Sequence, residues 1–143
     1  MTHFIDPDHA QFEAFKALDR DTELNMLNLV KFNDLANYPG DHPMARDGMT
    51  GAQAYAVYGE KTGPILEKVG GTIVWRGQFE LTFIGPSDEE WDAMFIVRYA
   101  NAKAFLAMVT DPEYQKAVVH RQAAVKTSRL IRTQNAGGGD QFA

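Results

Sequence analysis

Apolar residues recur along this chain with two different periods, and the switches between them predict its elements. Leu24 to Phe32 (Leu-Asn-Met-Leu-Asn-Leu-Val-Lys-Phe) alternates as a strand, with Leu27 and Leu29 on one side and Met26, Val30 and Phe32 on the other. Asp92 to Tyr99 gives the strongest strand pattern, Phe95, Val97 and Tyr99 against Met94 and Ile96. Both strands are apolar on both faces, and such strands need cover on both. Thr72 to Ile84 reads as extended chain bent near Gly77, and Ser128 to Thr133 as a last strand.

Between these runs the period lengthens to that of a helix. Thr50-Gly51-Ala52-Gln53 matches a capping box, and Ala54, Tyr58, Thr62, Ile65 and Val69, with Tyr55 and Leu66 beside them, carry an apolar stripe to Gly70 as the C′ residue. Pro64 lies inside that stripe, so the helix is expected to kink near Glu60 to Gly63 or to split in two. Asn101 caps a helix striped by Ala102, Phe105, Leu106 and Val109. Asp111 and Pro112 open another, because a proline at the first helical position gives up no hydrogen bond. Its stripe reads Tyr114, Ala117, Val118, Arg121 and Val125, which aims a permanent cation inward and leaves His120 at the stripe's edge. A short helix with Phe12, Phe15 and Leu18 starts from Asp6-Pro7-Asp8. Asn33 to Met49 has loop chemistry (Asn37, Pro39-Gly40, Pro43, Gly48) and is long enough to be a lid or a packed surface loop.

The order is an α+β one. A helical extension over residues 1–23 precedes β-α-β-β-α-β over 24–134, and 135–143 form a flexible glycine-rich tail. This is the split βαβ of ferredoxin-like folds, with a four-stranded antiparallel sheet and its helices on one face. The other face, also apolar, has no cover within the chain. A second copy of the sheet would cover it, so a homodimer is expected.

Alternation sorts the strand residues into two sets. Leu27, Leu29, Ile73, Trp75, Phe95, Val97 and Tyr99 are the apolar set expected beneath the helices. Met26, Asn28, Val30, Val74, Arg76, Met94, Ile96 and Arg98 form the other, apolar with three polar heads. Facing a space between two sheets, Asn28, Arg76 and Arg98 would bind a small ligand, the arginines favouring a carboxylate or other planar anion. Equally, the two arginines would pair with Glu80, Asp92 or a neighbouring chain near strand ends. Arg121 has the same two readings, ligand contact or an anchor that holds its helix to the sheet through a carboxylate. Tyr55, Tyr58 and Tyr114 offer phenol donors to such a cavity, or simply core packing. His120 has the ordinary pKa for general acid–base catalysis and is the candidate catalytic residue; a hydrogen-bonded surface histidine is the alternative.

Composition narrows the chemistry. The 143 residues carry a net charge of −5 and no basic stripe, which argues against nucleic acid. Cysteine is absent, excluding disulfides and thiolate chemistry. The four histidines (His3, His9, His42, His120) lack metal-ligand spacing, and neither serine (Ser87, Ser128) has a nucleophile-elbow context. There is no dinucleotide fingerprint, so no tightly bound cofactor is expected. The N-terminus lacks signal-peptide features and no run reaches about 20 apolar residues, so cytoplasmic residence without membrane contact is expected.

Several blocks resemble the DUF1330 family: Asn28-Leu29-Val30-Lys31-Phe32, Gly70-Gly71 with Trp75-Arg76-Gly77, Trp91 ahead of the strand ending in Arg98-Tyr99, and Asp111-Pro112-Glu113-Tyr114-Gln115 with His120-Arg121. The likeness covers roughly Leu24 to Thr133 and departs at Tyr99-Ala100-Asn101, where relatives often show Phe-Pro-Ser. It implies a dimeric α+β barrel but no particular reaction. By analogy with the wider superfamily, the cavity would host cofactor-independent oxygenation, isomerisation or lactone chemistry. Two classes therefore stand: a dimer that binds or transforms a small anionic or aromatic metabolite, and a non-catalytic dimer with a filled interior.

Overall fold

The computed structural model describes residues 3–142. Helix α1 (His9–Ala17) is capped by Asp8 rather than Asp6, with Gln11 closing the capping box. Strand β1 (Leu24–Phe32) leads through the long loop to α2 (Gly51–Lys68), whose Thr50 and Gln53 exchange side-chain and backbone bonds as the box requires. Pro64 does not split α2, which runs unbroken past it. Pro64 and Glu60, whose carbonyl loses its partner, both lie on the exposed side, where water can satisfy it. Gly70 adopts φ 77° and donates to Glu67 O, while Gly71 donates to Leu66 O, closing the helix.

Strand β2 (Thr72–Gly77) stops well short of Ile84, and β3 spans Ala93–Tyr99. Helices α3 (Ala102–Val109) and α4 (Pro112–Ala124) start at Asn101 and Asp111, whose side chains accept from Ala104 N and Glu113 N. Strand β4 (Val125–Gln134) follows α4 with no intervening loop. The sheet order is β2-β3-β1-β4 with every neighbour antiparallel, the ferredoxin-like arrangement. Four helices against one antiparallel sheet make the fold α+β.

Register decides which residues share a face. Leu24 lies opposite Tyr99, Met26 opposite Val97 and Asn28 opposite Phe95, so these share the helix side. Leu27 opposite Ile96 and Leu29 opposite Met94 are on the open side. The sequence expectation is therefore inverted for β1, though correct for β3. In β2 an irregularity between Ile73 and Trp75 lets Ile73 pair with Val97 but Trp75 with Ile96, which moves Trp75 to the open face and Arg76, opposite Phe95, to the helix side.

Two buried clusters form the core. Leu24, Met26, Val97 and Tyr99 pack with Ile65, Ala102, Met108 and Tyr114. Val30, Ala54, Ala123, Ala124 and Val125 pack with Tyr38 from the long loop. That loop is packed down: Ala36 N donates to Met49 O, and Asn37 N donates to Ala123 O, each at 2.8 Å. The buried face of α4 is Tyr114, Ala117, His120, Ala123 and Ala124, so His120 is inside the stripe and not at its edge.

Candidate functional site

The open face of the sheet carries none of the four helices; Arg129, opposite Leu29 and stacked on Phe4 and Trp91, covers one end of it, and much of the rest is half exposed. Val74 and Trp75 are about half exposed, as is Ile131, which lies opposite Leu27. Arg98 stands at one end of this face, opposite Asn25, and has neither an ion-pair nor a hydrogen-bond partner among the described residues. A recess of about 1060 Å³ lies over the face, walled by Leu27, Val74, Trp75 and Ile96 and edged by Asn135, Gly137 and Gly138 of the tail.

A second group of polar side chains lies on the helix side, under the loop. Tyr38 Oη and His120 Nδ1 are 2.7 Å apart in a buried hydrogen bond. His42 stacks on Tyr38 with ring centroids 4.6 Å apart and meets His120 edge-on at 5.7 Å. Burial lowers the His120 pKa, with the positive Lys61 and His42 adding to the effect, while burial raises that of Tyr38. Beside this cluster Tyr55, Tyr58 and Tyr114 form an aromatic row between α2 and α4, with Tyr58 and Tyr114 hydroxyls 3.0 Å apart. Burial raises the pKa of Tyr55 and Tyr114, so both phenols stay protonated and act as packed hydrogen-bonding groups.

The model of the domain of unknown function DUF1330 matches residues 44–133, more than half of the chain. The chain belongs to the DUF1330 family. A protein of unknown function from Rhodopseudomonas palustris is 49% identical, covering 96% of this chain and all of its own, with a TM-score of 0.88. A methylated form of the same protein gives 48% identity over 98% of this chain and all of its own, with a TM-score of 0.90. A dimeric protein of unknown function and ferredoxin-like fold from Bacteroides fragilis is 14% identical over 79% of this chain and 96% of its own, with a TM-score of 0.47. No curated protein matches the chain.

The DUF1330 match starts at Met44, so it contains His120 but neither Tyr38 nor His42. The structure does not bring the sequence candidates together. Only Arg98 faces the recess side of the sheet. Asn28 is on the helix side, where its Nδ2 donates to Met26 O at 3.1 Å, and Arg76 sits at the edge on that same side. Arg121 donates to Ile5 O at 2.5 Å and to Ser128 Oγ at 3.2 Å, with the Asp6 carboxylate 3.8 Å away, so it ties the N-terminal segment to β4. His120, Tyr55 and Tyr114 are separated from the open face by the sheet itself. Tyr38 and His42 carried no signal in the sequence, since both sit in an aperiodic loop and meet His120 only through the fold.

The buried imidazole makes stability depend on pH. Because the folded-state pKa of His120 is below 6.5, the unfolded chain binds a proton first, and stability is complete above about pH 6.5. It should decline as acid takes the pH through that value, by up to about 1.4 kcal/mol per pH unit for one proton. Urea unfolding of the wild type and of Tyr38→Phe/His120→Phe between pH 8 and 5 checks this. The double variant should lose most of the slope, and an unchanged slope would assign it to other groups.

Proposed function

We propose that this DUF1330 protein works as a homodimer in which two open sheet faces enclose a cavity for a small ligand with an apolar or aromatic body and a carboxylate. The observation that carries the reading is the recess beside Trp75: an uncovered apolar face next to an arginine with no partner of its own. Apolar walls supply most of the affinity in such a cavity, and one well-placed cation fixes the orientation of an anionic head. A guanidinium grips a planar carboxylate through two parallel bonds, which favours carboxylates over compact anions. The reading assigns the cavity to ligand binding and gives its walls no tightly bound cofactor to hold. The Tyr38–His120 pair lies behind the sheet and takes no part in it.

Benzoate and phenylacetate are suitable probes. Each should raise the unfolding temperature of the wild type, because a ligand that binds only the folded state stabilises it by mass action. Arg98→Met should weaken their binding about 10- to 100-fold, the loss expected for a charge-assisted bond. The unliganded variant should fold as the wild type does, since the Arg98 side chain is exposed and bonds to no other described residue. No response to either probe, or the same response in Arg98→Met, would leave a dimer with a filled interior as the better description.

A further inference from the structure

The segment joining β2 to β3 carries three large apolar side chains that the fold leaves in water: Leu81, Phe83 and Ile84 are 74, 88 and 90% exposed. The segment is nonetheless held in shape. Thr82 Oγ1 donates to Glu89 O at 2.8 Å, and Glu89 N donates to Pro86 O at 3.2 Å, so the chain folds back as an arm. Scattered exposed apolar residues are ordinary, but a run this close together on an ordered arm marks a contact surface.

Resting on the homodimer reading, we propose that the arm of one copy lies across the open sheet face of the other, so that Phe83 and Ile84 wall the other copy's recess. Three arguments converge on a second copy as the occupant. The arm leaves β2 only a few residues after Val74 and Trp75, so it springs from the strand that carries the exposed apolar residues of the open face. A two-fold axis would bury both arms and both faces at once, as an isologous interface requires. The exposed fractions of Val74, Trp75, Leu81, Phe83, Ile84 and Ile131, applied to side chains of roughly 150–250 Å², come to roughly 800 Å² per copy, what one partner gives to an interface of standard size. The recess that is open in one chain is thereby closed in the pair, and the ligand site is complete only when both copies are present.

The arm residues are exposed in the single chain, so polar replacements there leave its own core intact. Sedimentation across concentrations, with far-UV circular dichroism as the folding check, compares the wild type with Phe83→Ser/Ile84→Ser. The expected result is a wild-type dimer and a folded variant whose dimer dissociates at least ~100-fold more readily, the loss typical of removing central anchors. An equally tight variant dimer would overturn the arm and leave the homodimer standing, whereas a wild-type monomer would overturn both. Because the chain has no cysteine, placement can be read separately. Ile84→Cys mixed with Val74→Cys should give a disulfide between unlike chains under mild oxidation. Disulfides between two Ile84→Cys chains alone would place arm against arm and overturn the proposal.

Discussion

Gly51→Ala should destabilise the protein by roughly 3 kcal/mol or more, a large overpacking cost. A Cβ built at this position falls on Asn33 O and within 2.9 Å of both Asn33 N and Ala124 O. These are backbone atoms at a junction that cannot easily give. Asn33 N donates to Ala124 O at 2.8 Å, and Asn33 Nδ2 donates to Ala123 O at 3.1 Å, clamping the end of β1 to the end of α4. The start of α2 is pressed against that clamp. Helix propensity alone predicts the opposite sign, since alanine is favoured over glycine by about 1 kcal/mol inside a helix. Gly59, in the same helix with nothing within 4 Å of its added Cβ, is the control. Gly59→Ala should be neutral or stabilising by up to about 1 kcal/mol. Urea unfolding of both variants decides the matter. A stabilised Gly51→Ala would mean that the three chain segments do not meet as described.

Arg121→Met should cost about 2–3 kcal/mol, the range for losing hydrogen bonds from a charged group. The methionine keeps the stem but leaves Ile5 O and Ser128 Oγ without their donor. The consequence should be local first. Phe4 O accepts from Ser128 N at 2.7 Å, and Phe4 N donates to Thr127 Oγ1 at 3.0 Å, so residues 4–6 shield the outer edge of β4. Without the anchor, the Ser128 amide should exchange with solvent faster than its neighbours on the β1 side. A chain lacking residues 1–7 separates this role from others: there Arg121→Met should cost at least about 1 kcal/mol less than in the full chain, the coupling typical of residues in contact. Equal costs in the two backgrounds would show that Arg121 acts through something other than the N-terminal segment. The inward-pointing cation of the sequence reading thus has a partner, a main-chain carbonyl with the Asp6 carboxylate beside it.

Much of the candidate site was illegible for the same reason that most of the fold was legible. Arg98 was found because alternation along one strand is enough to separate it from Val97 and Tyr99. Grouping it with Asn28 and Arg76 needed the phase of one strand against another, which alternation does not contain. Only pairing supplies it: Asn28 lies opposite Phe95, and the irregularity near Val74 reverses the tip of β2. A one-residue slip exchanges every side chain between faces, so a small error in phase dismantles the whole constellation. Of the Tyr38–His120–His42 cluster the sequence singled out His120 alone, and nothing in it joined that residue to Tyr38 or His42. The cluster's members are 82 residues apart in the one hydrogen bond that defines it, and the loop partners have no period to betray which side is buried.

Capping, turn chemistry and hydrophobic period act over a few neighbouring residues, and there the sequence by itself determined the outcome. Leu24–Phe32 is a strand, Thr50 with Gln53 starts a helix, Gly70 ends it, and Asn101 and Asp111 each cap another. The order of those elements was enough for the ferredoxin-like topology. Only the tertiary structure decided how each element is turned about its own axis. One position along a helix is about 100° of rotation, and packing of α4 under Tyr38 buries His120 where the stripe pointed to Arg121. The N-terminal segment then completes the exchange by drawing Arg121 to Ile5 and Ser128. Rotation of that kind is set by partners distant in the chain, whose contacts have no local signature to read.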